Sequence, residues 1–327
     1  MLSCASRLAA AALVAAAAAP LRAQAPDPAR TPINIFRITD NIAMLMGAGG
    51  NVGVSIGEDG TLLIDSQFAA STARIFAVLD SIDRRLVRVV INTHWHPDHT
   101  GGNANFARAG ALVVAHENVR ARLASERGVR EVGDTMAPAP ARGLPTLTFA
   151  RELTFYFNGD SVRVLHVPRA HTDGDAVVYI RGANVVHMGD VFVTGSYPII
   201  DVASGGSVSG MIAAVDTVLA MTNEHTRIIP GHGALSNRAE LTAYRDMLVA
   251  TRDRVRKAIA AGQGVEAVVA AGLTRDWDGA LAQGYVKPAD FVEAVYRSVA
   301  AEAPPAPAKP APARAAKPRT KRAGRKP

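Results

Sequence analysis

Two β-sheets packed face to face, with helices outside, are the architecture this sequence predicts. Three observations carry the expectation. Short apolar strand patterns come in two successive blocks, one over residues 34–115 and one over 153–229. Each block closes with helical patterns, which favours separate sheets backed by helices. The chain has 327 residues, 48% of them hydrophobic, enough for one sizeable core or two small ones.

The elements follow in order. Alternating apolar residues bounded by turn residues place strands at 34–39, 42–46, 52–56 and 61–65, with Glu58-Asp59-Gly60 as one of the turns. A helical stretch over 69–82 leads to a strand at 86–91, another at 111–115 and a helix from Glu117 to about Ser125. Residues 126–147 mix Gly, Pro and Ala without period and read as a loop. Strands then recur at 153–157, 162–167, 176–181 and 185–188. A helix over 208–221, a strand at 227–229, a long helix over 239–261 and shorter ones over 264–271 and 288–300 complete the body. GAGGNVG, residues 47–53, lies between two strands with no helix behind it, so its glycines serve a turn and not a nucleotide loop.

The ends differ from the body. Residues 1–25 read as a secretory signal: Arg7, then the apolar run Leu8 to Ala19, then Ala23-Gln24-Ala25 as a cleavage site, cut after Ala23 or Ala25. The run is shorter than the ~20 residues a membrane span needs. Cys4 is the only cysteine, so a mature chain has none and suits a periplasmic or extracellular compartment. Residues 302–327 form a basic tail of Pro, Ala, Lys and Arg with no apolar period, expected to be disordered. It holds eight of the 36 Lys and Arg and one of the 29 Asp and Glu. Without it each sign counts 28, and without Arg7 and Arg22 the balance is 26 to 28. A near-neutral body gives no reason to expect sequence-specific nucleic-acid binding. The tail is a solvated extension or a weak adhesive for anionic surfaces.

The chemistry centres on NTHWHPDHTGG, residues 92–102. Side chains alternate in extended backbone, so His94 and His96 share a side and can grip one metal ion. Asp98 and His99 point elsewhere and can reach a second. Pro97 stiffens the segment, and Thr100-Gly101-Gly102 turns it into a helix. Other metal-binding residue types end apolar strands: Asp65 after TLLI, His171 opening HTDGD, Asp190 after NVVHMG and His232 in IIPGHG. If the strand ends gather at one sheet edge, five histidines and two or three carboxylates meet in one cleft. Such donors without cysteine suit zinc, with iron or manganese as alternatives.

This constellation closely resembles the metallo-β-lactamase fold superfamily over roughly residues 34–260, through its H-x-H-x-D-H motif and the later His, Asp and His in the family order. The resemblance implies an α+β, four-layer αβ/βα sandwich of two mixed sheets with two zinc ions at one edge. By position, His94, His96 and His171 would hold the first ion and Asp98, His99 and His232 the second. Asp190 would bridge them, and Asp65 would orient a histidine ligand. An Asp bridge is similar to the glyoxalase II, lactonase and general hydrolase branches. The motif HTDGD has Asp175 where thioesterase and lactonase relatives often carry histidine.

These readings imply a zinc-dependent hydrolase of small molecules. A metal-bound hydroxide, oriented by Asp98 as proton acceptor, would open an ester, lactone, thioester or β-lactam carbonyl. The alternatives are a phosphodiesterase of the same fold and a non-catalytic periplasmic zinc-binding module. Thr194 and Tyr197, in the loop after Asp190, are candidates to line the substrate pocket, with core cover as the other reading. His116 is a helix cap or a cleft residue. His166 and His187 sit near strand ends, and His225 lies in a polar turn.

Overall fold

Alternation along the first strands decides the layering. The structure, a computed structural model, describes residues 27–125 and 138–302 together with the backbone of two short strands at 128–129 and 134–135. The expectations for residues 1–25 and for 303–327 lie outside the described residues. Ile42 and Met44 face a core shared with the second sheet, while Ala43 and Leu45 join a different cluster with Ile75 and Leu79. Neighbouring side chains on a strand point to opposite faces, so this sheet is covered on both.

The first sheet runs β1 (Asn34–Arg37), β2 (Ile42–Met46), β3 (Val52–Gly57), β4 (Gly60–Ile64), β5 (Val87–Ile91), β6 (Leu112–His116) and β9 (Leu147–Phe149). Its first four strands pair antiparallel and its last four parallel, sharing β4. The short β7 (Gly128–Val129) and β8 (Asp134–Thr135) pair only with each other. The second sheet runs β10 (Glu152–Phe157), β11 (Asp160–His166), β12 (Ala176–Ile180), β13 (Val185–His187), β14 (Arg227–Ile229) and β15 (Ser236–Asn237), antiparallel except at β13 and β14. Both sheets are therefore mixed.

Four helices belong with the first sheet: α1 (Thr72–Ile82), α2 (Pro97–Thr100), α3 (Asn103–Arg108) and α4 (Glu117–Leu123). The rest follow later: α5 (Val208–Met221), α6 (Arg238–Ala260), α7 (Val265–Ala270), α8 (Arg275–Leu281) and α9 (Pro288–Glu302). Side-chain caps start several of them. Ser207 accepts from Gly210 N at 3.0 Å ahead of α5, and Asn237 from Glu240 N at 3.1 Å ahead of α6. Val177, Val186 and Ile228 of the second sheet pack with Met211 and Val215 of α5, Leu248 of α6 and Val295 of α9. Between the sheets, Leu62, Ile64, Val89 and Ile91 meet Val162, Val164, Val178 and Ile229. Each fully buried side chain of this kind contributes about 1.5–3 kcal/mol. The result is a four-layer αβ/βα sandwich. No helix among the described residues is long and apolar enough to cross a membrane.

Three expectations need adjusting. The stretch 126–147 contains β7, β8 and the start of β9, because Leu147 to Phe149 pair with Val114 to His116. Glu302 closes α9 instead of opening the tail: its carboxylate accepts from Ser209 Oγ at 2.8 Å and from the Arg256 guanidinium at 3.0 Å. The sequence reading has no helix at α8: none of its residues is fully buried, and only Trp277 and Leu281, one turn apart, pack on the core, too short a pattern to mark a helix.

Candidate metal centre

Strand ends from both sheets meet at one edge, and backbone hydrogen bonds hold them there. Asp65, just past β4, donates its N–H to Ile91 O at 2.7 Å, and Ala176 N of the second sheet donates to Thr93 O of the first at 2.7 Å. Asn51 binds across the same edge, its N–H to Gly231 O at 2.7 Å and its amide to Pro230 O and Gly233 O at 2.9 Å each. Asp190 sits on a single helical turn after β13, and His232 lies beyond β14, joined to Val193 by an isolated bridge.

Seven side chains converge in two groups. His94, His96, His171 and Asp190 form a buried one; Asp98, His99 and His232 form one that opens to solvent. In the first, each ring has its outer nitrogen occupied. His94 Nδ1 lies 3.1 Å from the Thr93 hydroxyl, His96 Nε2 lies 3.0 Å from Asp201 Oδ2, and His171 Nδ1 donates to Ile199 O at 2.9 Å. The inner nitrogens then face one another. His96 Nδ1 and His171 Nε2 are 2.9 Å apart, and His94 Nε2 is buried with no hydrogen-bond partner.

In the open group, His99 Nδ1 donates to Asp65 Oδ2 at 2.8 Å, which turns its Nε2 toward His232 Nε2 at 3.3 Å. His232 Nε2 is 3.1 Å from Asp98 Oδ2. Asp190 lies between the groups: one carboxylate oxygen is 3.2 Å from His99 Nε2, the other 3.5 Å from His232 Nε2 and 3.8 Å from His171 Nε2. Its Oδ1 is buried and makes no aligned hydrogen bond. Two glycines make room. A Cβ on Gly50 would fall 2.1 Å from His99 Cε1, and one on Gly231 2.0 Å from Asp190 Oδ1. The glycine-rich turn thus leaves space for a histidine as well as reversing the chain.

This donor set fits a divalent metal. Two nitrogens bound to one tetrahedral zinc at ~2.05 Å would lie about 3.3 Å apart, close to the 3.3 Å between His99 and His232. Facing imidazole nitrogens and an unpartnered buried carboxylate oxygen make little sense without a cation. Electrostatics agree. Burial opposes ionising Asp98 and Asp190, yet His99 and His232 hold both carboxyls well below the usual range. Burial also opposes charging His232, yet Asp190 and Asp98 lift it to about 9 in the metal-free chain. Asp98, Asp190 and Asp65 likewise push His99 well above its ordinary value. His94 goes the other way, lowered by burial and by His99.

Asp65 also accepts from Thr93 N and Thr93 Oγ1, both at 2.7 Å. It sits at φ 69°, a left-handed conformation in which Asp is enriched among non-glycine residues. Asp175 closes the HTDGD turn by accepting from Thr172 N at 2.7 Å and its hydroxyl at 2.5 Å. Its carboxyl is shifted upward by burial.

Other candidates take different places. Tyr197 is fully buried; its ring stacks on Phe291 and its hydroxyl donates to Asp278 at 2.8 Å, so it braces the loop and does not line the cleft. His116 caps α4 through Asn118 N and stacks on His166 at 3.7 Å between ring centres, away from the two groups. Thr194 takes the His232 carbonyl through its N–H at 3.0 Å and so fixes that histidine's loop. His187 is buried against Asn51 O, and the His225 side chain is exposed.

Two residues escaped the sequence reading. Asp201 holds His96; its only local sign is that it caps a short turn through Ser204 N at 2.9 Å. Tyr285, between α8 and α9, brings its ring to 5.7 Å from that of His232. A lone aromatic between helices carries no sign of where it points.

Comparisons with known proteins bear on the fold and the family. The chain aligns over 235 residues, at 25% identity, with the alpha subunit of a 2,4-dinitroanisole O-demethylase from Nocardioides sp. (strain JS1661), covering 71% of this chain and 65% of that one. It aligns over 165 residues, at 29% identity, with a hydroxyacylglutathione hydrolase from Polaromonas sp., covering 48% of this chain and 52% of that one. The chain therefore spans less than two thirds of the length of these relatives. Among solved structures, a metallo-beta-lactamase from Pontibacter korlensis superposes with TM-score 0.53 at 18% identity, covering 66% of this chain and 98% of that one. The sec-alkylsulfatase Pisa1 from Pseudomonas sp. superposes with TM-score 0.61 at 18% identity, covering 81% and 50%. The metallo-beta-lactamase superfamily model matches residues 46–233, more than half of the sequence and every residue of both groups, and so this chain belongs to the metallo-beta-lactamase superfamily.

Proposed function

We propose that this chain is a two-zinc hydrolase that cleaves an ester or thioester carbonyl bond of a small molecule. The observation that carries the reading is the convergence of inner imidazole nitrogens from both sheets on the Asp190 carboxylate. His94, His96 and His171 would hold one ion, Asp98, His99 and His232 the other, and Asp190 both. When bound there, divalent metal ions supply Lewis acidity toward a carbonyl oxygen and lower the pKa of water.

The chain's own residues supply the rest. Asp201, the Ile199 carbonyl and Asp65 fix the ring orientations of His96, His171 and His99 before any ligand arrives. Asp98 keeps its carboxylate ionised beside His99 and His232 with its side chain 21% exposed, so it can accept a hydrogen bond from the attacking water and orient it at the open side. The 2,4-dinitroanisole O-demethylase relative brings an aryl ether into the range of bonds to try, and the hydroxyacylglutathione hydrolases a thioester.

Elemental analysis of the purified chain, beside rates on an ester, a thioester, a lactone, a β-lactam, an aryl ether and a phosphodiester, tests the reading. Two zinc ions per chain with carbonyl cleavage support it. A metal-loaded chain that cleaves only the phosphodiester, or nothing, overturns it. Export with loss of residues 1–23 or 1–25 belongs to the same proposal. An intact mass that still includes Met1, measured on periplasmic protein, would sink that part.

A further inference from the structure

A groove of about 740 Å³ runs beside the metal centre between residues 198–203 and α9. Its apolar lining includes Ile199, Ile200, Val202, Tyr285, Val286 and Ala294. The wall nearest the metal centre is the segment that serves the buried group: Ile199 O holds His171 and Asp201 holds His96. Tyr285 belongs to both spaces, lining the groove while its ring lies 5.7 Å from that of His232.

Tyr285 is held in place from behind. Val286 N donates to Ser196 Oγ at 3.1 Å, and a Cβ on Gly284 would fall 2.4 Å from that same oxygen, so the backbone on both sides of Tyr285 is pressed against the loop after Asp190. Tyr197 stacked on Phe291 anchors the same loop to α9. Tyr285 itself remains 53% exposed, and among the described residues its hydroxyl makes no hydrogen bond, unlike those of Tyr197 and Tyr244. Tyr285 thus offers a large, partly exposed ring where the groove meets the open side of the metal centre.

The charges lining the groove restrict the ligand. They are Asp290, Glu293 and Arg297, and Arg297 is bound to Glu293 at 2.6 Å, which leaves Asp290 uncompensated within the groove. A negatively charged substrate tail meets a net negative rim, and a neutral hydrocarbon meets apolar walls. Glutathione carries two carboxylates against one ammonium. We propose that the groove receives an uncharged, apolar group of the substrate, with Tyr285 positioning it against the metal centre, so that the chain prefers neutral esters with a hydrocarbon arm over glutathione thioesters. This rests on the hydrolase reading above.

The test uses the full chain loaded with zinc. Rates on p-nitrophenyl acetate, butanoate and octanoate should give a kcat/KM that rises by about fourfold for each methylene the groove buries, with S-lactoylglutathione below octanoate. Ala294→Asp should flatten the chain-length series, and Tyr285→Ala, at an exposed position, should lower the octanoate-to-acetate ratio by about tenfold. A second readout needs no turnover: the neutral dye N-phenyl-1-naphthylamine should fluoresce with the wild-type chain and lose that signal in Ala294→Asp while the variant still unfolds cooperatively. Hydrolysis that is flat with chain length, or fastest on S-lactoylglutathione, overturns the groove assignment and leaves the hydrolase reading standing. Absence of hydrolysis across the whole panel overturns both.

Discussion

The two halves of the metal centre are built differently. His94, His96, His171 and Asp190 are all buried, and each of the three rings has its outer nitrogen engaged by a hydroxyl, a carboxylate or a backbone carbonyl. In the other half only His99 is fully enclosed, while the Asp98 and His232 side chains are 21% and 24% exposed. The buried half is preorganised by four chain segments. The open half combines a four-residue helix with a glycine-flanked loop. On the proposed function, the buried half would hold a cation rigidly and the open half would be where ligands exchange and a substrate enters.

Substitutions at the junction should have the largest effect on this contrast. Asp190→Ala removes the carboxylate that lies between the two halves. Retention of metal at both positions should fail, and hydrolysis should fall by more than the roughly 10–100-fold expected for an outer partner. Two tightly held metals and wild-type turnover in this variant would dissolve the junction. Next in size is a pair read by elemental analysis. His232→Ala should leave about one metal per chain, in the buried half, whereas His94→Ala should lower occupancy of that buried position. Equal losses would mean that the halves are not distinct.

Acid should separate them as well. In the metal-free chain His232 keeps its proton up to about pH 9, and a metal must displace it. Below that pH the apparent affinity of the open position should fall by at least about tenfold per pH unit, since His232 and the likewise raised His99 both carry protons that a metal must displace. His94 is lowered and presents no such competition. Zinc release followed against falling pH should therefore empty the open position first. The metal-free fold has the opposite sign: the charged His232 stabilises it fully below the ordinary imidazole value of 6.5, and that contribution is lost as pH rises through about 9. The smallest effects come from the orienting carboxylates. Asp201→Asn should weaken the buried position, and Asp65→Asn chiefly the open one, where it holds His99 directly and reaches His94 only through Thr93, each by about 10–100-fold in metal affinity. Zinc titrations that showed both variants affecting the same position would remove the division of labour between them.

Much of this was legible before folding is considered. Strand alternation gives Ile42 and Met44 to one face and Ala43 and Leu45 to the other, and the core clusters follow that parity. His94, His96, Asp98 and His99 sit within six residues, so local geometry nearly fixes their grouping. Strand ends marked Asp65, Asp190 and His232 because an abrupt change from apolar to polar is a local signal. Tyr197 could be placed only in a loop; nothing local told that Phe291 and Asp278 would take its ring and hydroxyl.

By itself, then, the sequence determined which residues stand at strand ends and on which face each apolar side chain lies, since both depend on a backbone period of two or 3.6 residues. Tertiary structure alone decided that Asp201 holds His96 across 105 positions, that His116 stacks on His166 instead of facing the cleft, and that Tyr285 reaches His232. Those pairings depend on how helices and loops dock on the second sheet. Docking is set by many weak contacts between distant segments, and none of them leaves a period in the chain.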